Sequence, residues 1–282
     1  MARTGPGIQK KGLILMLEHM RSVDSADGTR IAWQRSGTGP PLVLVHGSVN
    51  DHTSWEPLLP ALEEHFTIYA LDRRGHGESD PVDSATYAIE REFEDVAAVI
   101  DAVGEPAAVL GHSYGALCAL EAAHKTDNIT KLVLYEPPIP VGTAGWPAHS
   151  LPEIEALLAA GDREGTVLTF AREVAQLAEE EIAGVRATPA WQTVLDTAPT
   201  IPYEVRAIEG YACDLERLRH LQTPTLMLMG TRSSPFLQEA SESVAAALLA
   251  CEQAVLTGQG HLAMYTDPER FLSTVIQFLT NA

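Results

Sequence analysis

Cysteines, basic side chains and long apolar runs are all scarce in this chain of 282 residues. The three cysteines are scattered without pairing or metal spacing, which is typical of reduced thiols rather than of a disulfide framework. No apolar run approaches the roughly 20 residues of a membrane helix. The apolar run at residues 13–17 is also shorter than the roughly 7–15 residues of a signal-peptide core. We therefore expect a soluble, cytoplasmic protein.

Basic residues are outnumbered by acidic ones, 19 against 38, which gives a formal net charge of −19. Proteins that bind nucleic acid or anionic lipid need a basic face, so both partners are excluded. Hydrophobic residues make up 45% of the chain and charged residues 20%, so the chain can bury a large core. The expected partner is a small-molecule substrate, and the sequence does not indicate an oligomeric state.

Strand-like and helix-like patterns alternate through the first half of the chain and again near its end. The predicted strands cover residues 29–34, 42–45, 66–71, 107–110, 131–135, 225–229 and 253–256. The predicted helices cover residues 54–64, 90–103, 114–124, 238–249 and 268–279. Strands that alternate with helices of this length indicate an α/β protein whose parallel sheet is covered on both faces.

The alternation stops at Pro137-Pro138 and resumes only with the strand at residues 225–229. Between them, residues 139–221 show helices and loops without a credible strand. We therefore expect an α/β core formed by residues 21–138 and 222–282, interrupted by a helical insertion. Residues 1–20 are expected to be a loose N-terminal extension.

A serine between two glycines is the first candidate for chemistry. Residues 111–115, Gly-His-Ser-Tyr-Gly, fit the Gly-x-Ser-x-Gly pattern of a nucleophile elbow. A buried strand runs into the motif and an apolar helix runs out of it, which is the strand–turn–helix setting that such a nucleophile requires. The tight turn also demands small residues two positions before and after the serine. Ser113 is therefore the candidate nucleophile.

Three further segments accompany this motif: residues 44–47 (Leu-Val-His-Gly), 72–79 (Asp-Arg-Arg-Gly-His-Gly-Glu-Ser) and 258–261 (Gly-Gln-Gly-His). The second segment lacks the lysine of a phosphate-binding loop, so we interpret it as a structural turn with an ion-paired arginine. With these motifs the chain resembles the α/β-hydrolase superfamily from about Val23 to its C-terminus. Ala116 is a sterically mild departure, because many relatives carry a second glycine there.

The resemblance implies an α/β-hydrolase fold with a mostly parallel central sheet and helices on both faces. It also implies that residues 139–221 form a helical cap, inserted after the strand that ends at Glu136. It gives the oxyanion donors as the backbone N–H groups of Ser48 and Tyr114. No cofactor is expected. A metal site is not expected either, because no ligand-type spacing is present at His46, His52 and His76.

A serine hydroxyl needs a base, which is usually histidine near neutral pH. Among ten histidines, the resemblance assigns this role to His261, in a glycine-containing loop after the last strand. The family's acid usually follows the strand at residues 225–229, but the loop at residues 230–236 has no carboxylate. Some relatives carry the acid one strand earlier, which favours Glu136. Asp214 and Glu239 are the reserve candidates.

Caps of this family close over the active site, so aromatic side chains of residues 139–221 could line an apolar substrate pocket. Packing of the same side chains between cap and core is the alternative for some of them. The candidate substrate-binding residues are Trp146, Phe170, Trp191, Tyr203 and Tyr211, together with His52 of the core.

The leading hypothesis is a serine hydrolase that cleaves a carboxylic ester or lactone of a small, uncharged, hydrophobic substrate. It would act through an acyl-enzyme with a Ser113–His261–Glu136 triad. A carbon–carbon bond hydrolase or lyase on the same triad is a second enzymatic hypothesis. A non-catalytic small-molecule-binding protein on the same fold is an alternative of another class, because the usual acid is missing.

Overall fold

Eight strands form one sheet in the computed structural model, which describes residues 20–141, 147 and 149–281. The strands are β1 Met20–Asp24, β2 Arg30–Gly37, β3 Pro41–Val45, β4 Thr67–Leu71, β5 Ala107–His112, β6 Ile129–Tyr135, β7 Thr225–Gly230 and β8 Cys251–Leu256. Their order across the sheet is β1-β2-β4-β3-β5-β6-β7-β8. β1 and β2, and β2 and β4, pair antiparallel, and the other neighbouring strands are parallel. The predicted mostly parallel sheet is confirmed.

Helices connect the parallel strands and fill the long interval between β6 and β7. They are α1 Leu59–Leu62, α2 Ile89–Val103, α3 Tyr114–Ala122, α4 Leu151–Ala159, α5 Arg163–Thr169, α6 Glu179–Arg186, α7 Ala190–Asp196, α8 Ile201–Gly210, α9 Leu215–Leu218, α10 Pro235–Ala247, α11 Ala263–Thr266 and α12 Pro268–Thr280. Two 3-10 turns lie at His52–Trp55 and Ala198–Thr200, and a π-helical turn lies at Phe170–Val174. Among the helices of the described residues, none is long and apolar enough to span a membrane.

The strand β3 shows why the sheet is buried on both sides. Successive side chains of a strand point to opposite faces, and all five residues of β3 are buried. Val43 and Val45 belong to the apolar cluster that includes α2 and α3, whereas Leu42 and Leu44 belong to the cluster that includes α12. Each face of the sheet therefore has its own helical layer.

Two predicted helices differ from the structure by more than two residues at one end. The helix expected at residues 54–64 is split into a 3-10 turn and the short α1, because Pro57 has no N–H group to donate to a helical hydrogen bond. The helix expected at 238–249 begins earlier, at Pro235. There the Ser234 hydroxyl accepts a hydrogen bond from the N–H of Leu237 at 3.3 Å and so caps the helix.

The interval between β6 and β7, called here the helical segment (residues 139–221), has α4 to α9 and no strand among its described residues. Its helices share an apolar cluster of their own, which includes Ile154, Val167 and Ile201. At the other end of the chain, β1 already begins at Met20, the last residue of the expected extension. Residues 1–19 lie outside the described part of the chain.

Candidate active site

Ser113 lies in the turn between β5 and α3, with φ 54° and ψ −125°. A positive φ at a residue other than glycine costs of order 1–3 kcal/mol and persists only where the surroundings enforce it. Here the tight packing of β5 against α3 enforces it, and the glycines on either side permit that packing. A Cβ at Gly111 would lie 2.6 Å from the Cα of Ala116, and one at Gly115 would collide with the carbonyl of Val45. The strand and helix therefore approach closely enough to expose the serine at the turn.

Glu136 directly follows β6 and is fully buried. Its Oε2 accepts a hydrogen bond from Nδ1 of His261 at 2.6 Å, and its Oε1 accepts one from the N–H of Gly230 at 2.6 Å. Because β6 and β7 are neighbours, a carboxylate at the end of β6 reaches the loop after β7, where the sequence has no acid. With Nδ1 donating, Nε2 of His261 is left free to accept a proton.

The reserve acids lie elsewhere. Asp214 caps α9 by accepting a hydrogen bond from the N–H of Arg217 at 3.1 Å, and Glu239 is part of α10. Of the three carboxylates that the sequence suggested, Glu136 is the one bonded to His261. The lack of an acid after β7 was the reason to consider a non-catalytic protein, and the structure places the Glu136 carboxylate beside that loop.

The two expected oxyanion donors lie beside Ser113. Tyr114 is the first residue of α3, and Ser48 follows the end of β3. Among the described residues, neither backbone N–H has an acceptor, so both are available for an oxygen atom that becomes negatively charged. Val49, the next residue along, has φ 54°, which is rare for a β-branched side chain. The backbone of this turn is therefore held in a strained conformation.

His112 packs against the proposed base. Its ring centroid is 4.6 Å from that of His261, and its Nε2 donates a hydrogen bond to the His261 carbonyl at 3.0 Å. Burial holds the pKa of His112 well below its ordinary value, and the neighbouring His261 lowers it further. A neutral His112 therefore fixes the loop that carries His261 without adding a charge.

Two residues that sequence reasoning missed also hold this loop. Tyr135 donates its hydroxyl hydrogen to the Gly260 carbonyl and accepts a hydrogen bond from the N–H of Ala263 at 3.1 Å. Glu181, on α6, accepts a hydrogen bond from the N–H of Leu262 at 2.9 Å. The position of His261 thus depends on the sheet and on the helical segment together.

A cavity of about 540 Å³ opens at Ser113, His112 and His261. Its far wall comes from the helical segment and is formed mainly by the apolar side chains of Val167, Phe170, Ile182, Val185, Trp191 and Val194. Phe170 and Trp191 were expected at such a pocket, and the structure places both there. The volume is that of an ordinary small-molecule site.

Three other expected pocket residues lie outside this cavity, and for them the expectation is wrong. Tyr203 packs on Tyr87 with ring centroids 4.5 Å apart, and the hydroxyl of Tyr211 donates a hydrogen bond to Glu121 at 2.6 Å. Both rings therefore pack the helical segment onto the core. The sixth candidate, Trp146, lies outside the described residues.

His52 is the third of these residues, and it pairs with Asp72 through Nδ1 at 2.9 Å. Burial lowers the pKa of His52, but the Asp72 carboxylate more than offsets this and raises it above the ordinary value. Three potential metal-ligand atoms lie within 4.8 Å of one another, on Asp51, His52 and Asp72. Asp72 already accepts hydrogen bonds from His52 and from the N–H of Glu78 at 2.9 Å, so we interpret the group as part of the turn.

A buried ion-pair network contacts the turn that carries Ser48. Arg73 donates to Glu92 at 2.7 and 2.8 Å, to Oε1 of Glu204 on α8, and to the carbonyl of Gly47 at 3.2 Å. Oε1 of Glu204 is also 3.0 Å from Nε2 of His76. The arginine that the sequence suggested to be ion-paired thus connects the helical segment to the turn that carries Ser48.

A family model matches most of this chain. Residues 42–274 match the model of a family described as the alpha/beta hydrolase family. A crystal structure of an alpha/beta hydrolase from Sphaerobacter thermophilus DSM 20745 is similar, with a TM-score of 0.79 and 34% identity. That similarity covers 92% of this chain and 100% of the other.

Two curated relatives differ in how much they share with this chain. The pimeloyl-[acyl-carrier protein] methyl ester esterase of Vibrio vulnificus (strain YJ016) is 26% identical over 262 residues, which cover 89% of this chain and 98% of the esterase. The probable oxidoreductase EphD of Mycobacterium tuberculosis (strain CDC 1551 / Oshkosh) is 41% identical over 102 residues. That second match spans 34% of this chain and 17% of the length of EphD.

Proposed function

This chain belongs to the alpha/beta hydrolase family, and we propose that it is a serine hydrolase that cleaves a carboxylic ester or lactone through an acyl-enzyme. The observation that carries the proposal is the 2.6 Å hydrogen bond between His261 Nδ1 and Glu136 Oε2. His261 also lines the cavity, as does Ser113 in the turn between β5 and α3. A nucleophile, a base and an acid in these positions are the parts that acyl transfer needs.

In the proposed reaction, His261 Nε2 takes the proton of the Ser113 hydroxyl as its oxygen attacks the substrate carbonyl. Glu136 stabilises the imidazolium that forms, and the N–H groups of Ser48 and Tyr114 bind the negatively charged oxygen. His261 then gives its proton to the departing alcohol, which leaves an acyl group on Ser113. Finally His261 activates a water molecule, which releases the acid and restores the serine.

The substrate is proposed to be small, uncharged and hydrophobic. The apolar wall of the cavity favours such a molecule, and a formal net charge of −19 disfavours an anion. We propose that the helical segment acts as the cap that supplies this wall. The Vibrio vulnificus relative is a methyl ester esterase, which favours an ester among the possible acyl substrates. A cytoplasmic location stays a prediction from cysteine usage.

Labelling with a fluorophosphonate tests the proposal, because this probe reacts with an activated serine. The purified protein is expected to take up one equivalent of the probe on Ser113 and to hydrolyse a short-chain aryl ester. Ser113→Ala should lose both properties, whereas Ser22→Ala, at an exposed position of β1, should keep both. Well-folded wild-type protein that is neither labelled nor active would contradict the proposal. A screen of esters, lactones and amides would then identify the substrate class.

A further inference from the structure

A second, smaller cavity of about 30 Å³ meets the reacting groups from the side of α8. It is lined by Ser48, Ser113 and His261, as the large cavity is, but also by Glu204. A buried site needs about 10–15 Å³ for each water molecule. The smaller cavity therefore has room for a substituent of about two or three non-hydrogen atoms beside the ester group that Ser113 attacks.

Glu204 brings a carboxylate to this cavity, and one of its two oxygens lacks a hydrogen bond of good geometry. The residue is 1% exposed. Its Oε1 is bonded to Arg73 and His76, whereas its Oε2 is buried and has no hydrogen-bond partner of good geometry among the described residues. A buried polar atom without a partner is costly. Such an atom beside the nucleophile is suited to accept a hydrogen bond from a ligand.

The charge state of Glu204 makes it an acceptor. Burial raises the pKa of its carboxyl, but Arg73 and His76 outweigh burial, and with a contribution from the nearby Ser48 hydroxyl they lower this pKa to about 2. An ionised carboxylate accepts hydrogen bonds and donates none. It therefore favours O–H and N–H groups and disfavours ether oxygens, carbonyl oxygens and methyl groups.

We propose that Glu204 Oε2 recognises the substrate by accepting a hydrogen bond from a small hydroxyl or amino substituent close to the scissile ester bond, on either its acyl or its alcohol side. The inference rests on the proposed function and narrows its substrate class. The large apolar cavity binds the group on one side of the ester bond. The smaller cavity binds the short group on the other side, which carries the hydrogen-bond donor. An ester of a 2-hydroxy or 2-amino acid fits this arrangement, and so does an ester of a short diol.

Matched ester pairs on the wild-type enzyme provide the first test. The acyl-side set is 4-nitrophenyl glycolate and glycinate against the similarly sized propionate, and the alcohol-side pair is 2-hydroxyethyl against propyl butyrate. Each ratio of kcat/KM is divided by the corresponding ratio for hydroxide-catalysed hydrolysis. Because a hydrogen bond to a charged group is involved, we expect a preference of about 10- to 100-fold for a donor-bearing ester in at least one set. Corrected ratios near one in both sets would overturn the inference.

Glu204→Gln provides the second test. Arg73 can only donate, so the glutamine oxygen must face Arg73 and its NH₂ group must face the small cavity. The acceptor is thereby replaced by a donor of the same shape, and the preference should disappear. Glu92→Gln is the matched control, because Glu92 also binds Arg73 but lines neither cavity. It should keep the preference even if its stability falls.

The outcomes separate this inference from the function on which it rests. A preference that survives in Glu204→Gln, or disappears equally in Glu92→Gln, would overturn the role of Glu204. If Glu204→Gln does not fold, the wild-type ratios decide. Hydrolysis of donor-bearing and donor-free esters at equal rates would remove this inference alone. Absence of both hydrolysis and fluorophosphonate labelling would remove the proposed function as well.

Discussion

At the cavity beside Ser113, the strand ends of the core present hydrogen-bonding groups, whereas the helical segment presents mostly apolar side chains. Both oxygens of Glu136 are engaged by the core, one by His261 and one by Gly230. The opposite wall consists of side chains such as Val167 and Ile182, which make no directional bonds. Changes at the strand ends should therefore act on the chemical step, and changes in the apolar wall of the helical segment should act on the choice of substrate.

The largest effect is expected from removing the base. His261→Ala should lower kcat for an aryl ester by at least about 10⁴-fold, because Ser113 then has no group to take its proton. Single-turnover kinetics with circular dichroism as a folding control would measure this. His220→Ala, at an exposed histidine after α9, should keep its activity. An active His261→Ala enzyme would show that His261 is not the base of this site.

Trp191→Ala tests the apolar wall. The change should lower kcat/KM for a long-chain ester by about tenfold, because it removes part of the apolar surface that covers the chain. It should alter kcat/KM for an acetate ester far less. A series of 4-nitrophenyl esters of increasing chain length would measure the difference. An equal loss for short and long chains would show that the wall acts on the chemical step.

Tyr211→Phe examines a tyrosine of the helical segment that packs against the core instead of lining the cavity. The change leaves Glu121 Oε1 without its 2.6 Å hydrogen bond, which should cost about 1–3 kcal/mol of unfolding free energy. The chain-length profile should stay that of the wild type, in contrast to Trp191→Ala. Urea unfolding and ester kinetics on the same preparation would show both results. A changed profile with unchanged stability would place Tyr211 at the substrate.

The smallest expected effect is on the pH dependence of stability. Burial, with the nearby His76 and Arg73, holds the pKa of His46 in the core well below 6.5. The unfolded chain binds a proton at this histidine below about pH 6.5, and the folded protein does not. Neutral His46 therefore contributes fully to the unfolding free energy above that pH, and this contribution is lost as the pH falls. Below about pH 6.5, His46→Gln should reduce the slope of the unfolding free energy against pH by about 1.4 kcal/mol per pH unit.

Chemical denaturation between about pH 5 and 7.5, which spans the ordinary histidine pKa, would measure this slope. His149→Gln is the matched control in the helical segment, because the side chain of His149 is 72% exposed. It should leave the slope unchanged. Equal slopes for the wild type and His46→Gln would contradict the assignment of a depressed pKa to His46.

Much of the core was predictable from local sequence. Apolar runs such as residues 42–45 indicate buried strands, and the Gly-x-Ser-x-Gly motif specifies its own turn, because the two glycines are required by steric contact. His261 and Glu136 were suggested through a family resemblance and the lack of a carboxylate after β7. Their bond depends on β6 and β7 being neighbours, which follows from the topology that the resemblance implied.

The helical segment was less predictable. Its helices were expected, but an aromatic side chain on an amphipathic helix can face the cavity, as Trp191 does, or the core, as Tyr211 does. Glu181 and Glu204 gave no local signal, because an acidic residue on a helix usually faces solvent. Their partners, the N–H of Leu262 and the guanidinium of Arg73, are 81 and 131 residues away in sequence. Such contacts are set by tertiary packing alone.

The most direct test of the account is the kcat of three acid variants measured side by side: Glu136→Gln, Asp214→Asn and Glu239→Gln. We expect Glu136→Gln to lose about 10⁴-fold in kcat, as removal of the orienting carboxylate does in a protease triad, while the other two variants stay near the wild-type kcat. Near-normal kcat for a folded Glu136→Gln enzyme would show that the carboxylate at the end of β6 is not the acid of this site.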